Sequence, residues 1–171
     1  MVLESASIKK VACGAFSTII LKTNGEVLVT GSNVSGKLGM GFSEGSKKFV
    51  PLLKDSSVLN VYAGYDASFV LKKGGELYVF GDGSNGACGT GDLDNRRKPT
   101  SLNLPFKVRS VACGCRHTLL LGTCGELFSS GSNVHGKQKV SICLTMILNI
   151  LYIRNSGQLV GFQLKFCAIQ F

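Results

Sequence analysis

Short apolar runs alternate with glycine-marked turns along most of this chain. Ile19–Leu21, Phe69–Leu71 and Leu119–Leu121 are apolar stretches of strand length. Each leads into a turn segment: Thr23–Gly25, Lys73–Gly75 and Thr123–Gly125. Asn-Gly and Gly-Gly at such sites supply the positive φ that a tight hairpin needs. The return strands are Glu26–Thr30, Glu76–Phe80 and Glu126–Ser130. Equivalent hairpins are therefore expected over residues 18–30, 68–80 and 118–130. Further strand-like sequence follows at Phe49–Leu53 and Val58–Tyr62. A helical period is not seen in these segments.

The pattern repeats every 50 residues. Gly14, Gly64 and Gly114 close the first apolar segment of each unit. Gly25, Gly75 and Gly125 hold the hairpin turn, and Gly31, Gly81 and Gly131 end the return strand. Gly36, Gly86 and Gly136 lie in the loop beyond. A unit of this length holds about four short strands, which is one propeller blade. The fold class is thus all-β, a partial β-propeller. A blade has two apolar faces and must stack on neighbours to bury them. Closure of a ring takes roughly four to eight blades. Two full units and the start of a third leave open faces, so self-association is expected.

Composition agrees: Gly is 22 of 171 residues, Pro only 3, and Trp is absent. The net charge of +9 suits nucleic-acid, anionic-membrane or acidic-protein partners. It is scattered, in short runs such as Lys47-Lys48 and Arg96-Arg97-Lys98, rather than concentrated in a basic arm. A solvated surface is the plainer account. Glu4 within the first residues argues against a secretory signal. Seven Cys, an odd number, point to a reducing compartment, cytoplasmic or nuclear, rather than to a disulfide framework.

The repeat is lost after Lys137. Residues 8–137 form the repeat region, with units near 11–60, 61–110 and 111–137, and residues 138–171 form a divergent apolar tail. That tail contains no Asp or Glu. It reads as a truncated or alternatively encoded end, or as a segment that covers the open edge of the last blade. Its longest apolar stretch, Val140–Ile153, contains Ser141, Thr145 and Asn149. It falls short of the roughly 18 residues of a spanning helix, so no membrane span is expected.

Val111–Leu121, with its small-small-Gly-x-x-His-Thr order ending at His117 and Thr118, resembles the signature of the regulator of chromosome condensation repeat family. Gly75–Gly81, Asn85-Gly86 and Gly89–Asp92 match later elements of the same repeat. Kelch blades share the period but carry a recurring double Gly, and WD blades end in Trp-Asp; neither fits. There are departures. The family's His is Ser17 in the first unit and Ala67 in the second, and its aromatic before the loop Gly is kept only as Phe80. The resemblance implies blades of a seven-bladed propeller. The founding activity of that family is nucleotide exchange on a small nuclear GTPase, with chromatin docking. Many relatives use the propeller as an interaction module.

Candidate chemistry is thin. Gly31–Lys37 and Gly131–Lys137 have the spacing of a phosphate-binding loop, but Leu38 and Gln138 stand where Ser or Thr should follow. Gly81–Gly86 fits a dinucleotide fingerprint without its helix. Cys113, Cys115 and His117 alternate, and with Cys124 across the hairpin they could hold Zn²⁺. The competing account makes Cys113 a core thiol and, through the resemblance, His117 a structural residue bonded to nearby backbone. Asp82, Asp92 and Asp94 read as turn residues. No cofactor, metal or catalytic set is expected. Three functions compete: a non-enzymatic protein-interaction module, an exchange factor for a small GTPase, and a chromatin-associated protein.

Overall fold

The computed structural model describes residues 8–65 and 67–132 and the backbone of residues 158–163. Among the described residues, twelve strands form three four-stranded antiparallel sheets, each a meander. The first sheet holds β1 (Ile8–Cys13), β2 (Ser17–Lys22), β3 (Glu26–Gly31) and β4 (Ser46–Lys54). The second holds β5 (Val58–Ala63), β6 (Ala67–Lys72), β7 (Leu77–Gly81) and β8 (Arg96–Ser101). The third holds β9 (Val108–Cys113), β10 (His117–Gly122), β11 (Leu127–Ser132) and β12 (Gln158–Gln163). The expected hairpins are β2–β3, β6–β7 and β10–β11, in the same register each time: Ile20↔Leu28, Val70↔Tyr78 and Leu120↔Phe128.

The third sheet differs from the expectation of a unit that stops at residue 137. Its fourth strand comes from the tail: β12 pairs with β11 through Gly131↔Leu159 and Ser132↔Gln158. The 50-residue spacing missed this strand because it follows a longer connection and lacks the repeat's turn residues.

Side chains alternate across each strand, so the second sheet has one face toward the first blade and one toward the third. Ile19, Leu21, Val27 and Val29 of the first blade pack with Val58, Val61, Val70 and Phe80 of the second. Phe69, Leu71, Leu77 and Val79 of the second pack with Val108, Val111, Leu120 and Phe128 of the third. The core is therefore two slabs between three blades. Each large side chain fully buried there contributes about 1.5–3 kcal/mol. The first strands touch in succession, β1 against β5 and β5 against β9, so they form the inner side of the array. Strands β4 and β8 are outer edges.

Hydrogen bonds tie the blades as well. The Ser68 hydroxyl donates to the Lys37 carbonyl (3.1 Å), and the Thr118 hydroxyl donates to the Ala87 carbonyl (2.9 Å). These are the same two repeat positions at successive junctions.

Candidate interaction surface

The β1–β2, β5–β6 and β9–β10 turns lie at one end of the blades, together with the long loops after β3 and β7. Gly14, Gly64 and Gly114 close these turns, each N–H donating 2.8 Å to the carbonyl of Ser17, Ala67 or His117. Neighbouring turns are nearly in backbone contact. A Cβ on Gly14 would lie 2.5 Å from the Gly64 carbonyl oxygen, and one on Gly64 would lie 2.8 Å from Cβ of Cys113. Glycine is required at this position by the approach of one blade to the next. The His117 ring lies directly over Gly114, where a Cβ would strike it. Among the described residues, the contact that the structure gives this imidazole is its packing on Gly114. Gly31, Gly81 and Gly131 have φ of +115°, +129° and +105°, and the chain turns there toward the long loop. Gly36 packs on Arg97 of the next blade. Gly136 lies outside the described residues.

On this end stands an exposed aromatic pair. Phe16 is 62% exposed and Tyr65 42%, with ring centroids 5.8 Å apart in an edge-to-face arrangement. The Lys37 ammonium sits 4.8 Å from the centre of the Tyr65 ring. Val34 is exposed on the adjacent loop. Sequence reasoning passed over Phe16 and Tyr65. The signal was their departure from the repeat: the equivalents of Phe16 are Asp66 and Arg116, and those of Tyr65 are Ala15 and Cys115. A residue that the blade does not need, at a position that the blade repeats, is free to serve a contact.

The loop of phosphate-binding spacing is a blade turn. Val34–Gly36 is a single 3₁₀ turn. Asn33 is buried; its side-chain oxygen accepts from the Leu38 N–H at 2.8 Å and its amide donates to the Phe42 carbonyl. The N–H groups of Ser32, Gly36 and Gly39 donate to Phe16, Asn33 and Gly36 carbonyls. Donors that would cradle a phosphate are thus used within the protein. The Gly81–Gly86 loop is built likewise, with Ser84 N–H on Asp82 and Gly83 N–H on Asn95. A hydroxyl from the first blade, Ser35, also donates to Asp82 (2.9 Å). Burial pushes the Asp82 carboxyl up, but the bonds from Ser84 and Ser35 outweigh it and hold it below the usual range. Asp92 is lowered too, where bonds from Asp94 N–H, Arg96 and Thr90 outweigh burial. Both are acceptors that organise turns, not a pair sharing a proton.

The four candidate zinc ligands are not brought together. The chain reverses between Cys113 and His117, and Thr118 pairs with Cys113 across the strands. Cys124 is at the other end of the hairpin, roughly 20 Å along the strand from His117 at the usual rise per residue. Burial pushes the Cys113 thiol up to about 12, which keeps it protonated. Among the described residues no cluster of His, Cys, Asp or Glu could hold a metal ion. Among them, too, no helix is long and apolar enough to cross a membrane.

A model of the regulator of chromosome condensation (RCC1) repeat matches residues 74–121, and a second model of the same repeat matches residues 8–37. The comparison with curated proteins finds no match. Among solved structures, yeast RCC1 (Prp20) in its complex with Kap60 is similar, with a TM-score of 0.76 and 24% identity over 95% of this chain and 38% of that one. Prp20p from Saccharomyces cerevisiae, described with its binding properties to Gsp1p and histones, gives 0.67 and 24% over 73% and 33%. Human WBSCR16 gives 0.68 and 24% over 77% and 35%. The chain therefore spans between 33% and 38% of the length of these proteins, and the likeness is one of fold.

Proposed function

We propose that this chain, which resembles the regulator of chromosome condensation repeat over residues 74–121 and 8–37, is a non-enzymatic protein-interaction module. The observation that carries the reading is the exposed Phe16–Tyr65 pair with Lys37 beside it. Exposed aromatic side chains, Tyr above all, are among the residues that most often anchor protein contacts. The partner is a protein, in the cytoplasm or nucleus, and a small GTPase is the first class to try. Prp20p's described binding to Gsp1p and histones supports both that class and the chromatin alternative. A second feature favours the chromatin reading: Lys47 and Lys48 on β4 recur as Arg97 and Lys98 on β8, all exposed on outer strands.

Titration of the full chain against a GTPase of the Gsp1p type and against histones tests the reading. Phe16→Ala and Tyr65→Ala are each expected to weaken binding about tenfold or more, the scale of an interface anchor. Unchanged affinity in both variants would remove this surface from the interaction. Faster release of bound nucleotide from the GTPase would favour the exchange-factor reading. Binding to DNA that falls steeply with salt would favour the chromatin reading.

A further inference from the structure

We propose that Ser43 is a phosphorylation site, and that its phosphate is received by Arg97 and Lys98 of the neighbouring blade. The loop after β3 leaves the first blade and lies across β8 of the second. Gly41 N–H donates to the Arg97 carbonyl at 2.7 Å, and Gly36 packs on the Arg97 backbone. The loop then exposes four residues in succession, Phe42, Ser43, Glu44 and Gly45. There the Arg97 guanidinium donates to the Ser43 hydroxyl at 2.9 Å, from 54 residues along the chain. A Cβ on Gly41 would lie 2.8 Å from Cε of Lys98, so the Lys98 ammonium ends beside the same loop.

The charges around this contact are unbalanced. Arg96, next along β8, is paired with the Asp92 carboxylate. Arg97 and Lys98 make no ion pair among the described residues, and the guanidinium meets a neutral hydroxyl instead. A phosphoserine carries close to two negative charges at neutral pH and three acceptor oxygens, which a guanidinium binds through two N–H groups at once. The nearby serines lack such a setting. Ser35 donates to Asp82, whose carboxylate would repel a second anion. Ser46 is bonded to the N–H and carbonyl of Lys48 on its own strand. The second blade has Leu93 where the first has Ser43, so it holds no counterpart.

The modification is phosphoryl transfer from ATP held by a protein kinase. Ser43 Oγ attacks the γ-phosphorus, an O–P bond forms, and the bridging P–O bond to ADP breaks. The hydroxyl proton passes to the kinase's carboxylate base. The resulting dianion ties the loop of the first blade to the outer strand of the second. It also cancels two of the exposed cations of β8, so the charge that this strand offers to a partner falls.

Two measurements on the full chain test the proposal. Tandem mass spectrometry after incubation with Mg-ATP and a cell extract is expected to find phosphate on Ser43, and Ser43→Ala is expected to lose it. Phosphoserine is then installed at Ser43 during translation, and its second ionisation is followed by ³¹P NMR. That pKa is expected to lie about one unit below its value in the urea-unfolded chain, as for an acid beside an opposite charge. Arg97→Ala is expected to remove most of the lowering, and Arg97→Lys to keep part of it. The Arg97 side chain is exposed, so these substitutions leave the core intact. If Arg97→Ala loses the wild-type β-sheet circular dichroism, Lys98→Ala replaces it, with a smaller expected rise. Absence of phosphate from Ser43 overturns the proposal. So does a phosphate that titrates as in the unfolded chain, or one whose titration is the same in wild type and Arg97→Ala.

Discussion

Gly25, Gly75 and Gly125 share one turn position and nearly one φ, +82°, +81° and +94°, yet they do not meet the same surroundings. A Cβ on Gly75 would lie 2.6 Å from Cβ of Lys107 and 2.9 Å from the Val108 nitrogen, and one on Gly25 would strike the Asp55 carbonyl. A Cβ on Gly125 would meet nothing within 4 Å among the described residues. The first two are pinned by the linker to the next blade, which also bonds back to them: Asp55 N–H to Gly25 and Val108 N–H to Gly75. Gly125→Ala is expected to cost about 1 kcal/mol, the left-handed penalty alone. Gly75→Ala adds a backbone clash and is expected to cost about 2–3 kcal/mol. Equal shifts in thermal melts of the two variants would contradict this. The sequence shows a glycine at each turn, but spacing alone does not show which turn is wedged against a linker. A second irregularity is also local. Lys22 pairs with Glu26 at 2.9 Å, but the third unit has Gly122 in place of the Lys, and Glu126 Oε2 is buried without a partner among the described residues.

At the scale of elements, six of the eight strands of the first two blades were legible, and β1 and β8 were not. Apolar runs marked the strands, and glycines marked the turns; β8 was hidden behind its basic run. A tail covering the open edge of the last blade was one of the sequence readings, and β12 does this; its place and register were not legible, because its pairing depends on a distant segment and not on local pattern. The Phe16–Tyr65 contact escaped notice for the same reason: it joins turns of two blades. The exposed basic residues on β4 and β8 also have a structural role, since charge on an outer strand discourages edge-to-edge pairing. The linker from the first blade to the second is clasped by an ion pair, Lys72 to Asp55 at 2.9 Å. Lys72 holds the Asp55 carboxyl well below the usual carboxylate range, with help from the Ser57 hydroxyl and N–H. A depressed carboxyl stabilises the fold above its unfolded pKa, near 4, and loses that contribution as pH falls through the folded value. Melting temperature is expected to drop on acidification below about pH 4. Asp55→Asn should make that drop shallower, leaving the part owed to Asp82 and Asp92. A variant with the wild-type acid slope would show that the clasp does not couple to folding.

At the scale of the whole molecule, the three described blades stack by nearest-neighbour contacts, so equivalent positions meet different surroundings in each. Cys13 and Cys113 make that difference chemical. They hold the same repeat position, but Cys113 is packed toward Gly64 of the preceding blade, while Cys13 is exposed. The protein thus carries a thiol probe at its leading face and a matched control inside. Peptide-resolved alkylation is expected to modify Cys13 readily in dilute solution and to leave Cys113 slow, its thiolate suppressed by burial. Once any blade covers the leading face, Cys13 should fall to the reactivity of Cys113. A labelling rate at Cys13 that ignores protein concentration would mean that the face stays bare. A change at that one sulfur reads out the seating of a neighbour without an added tag.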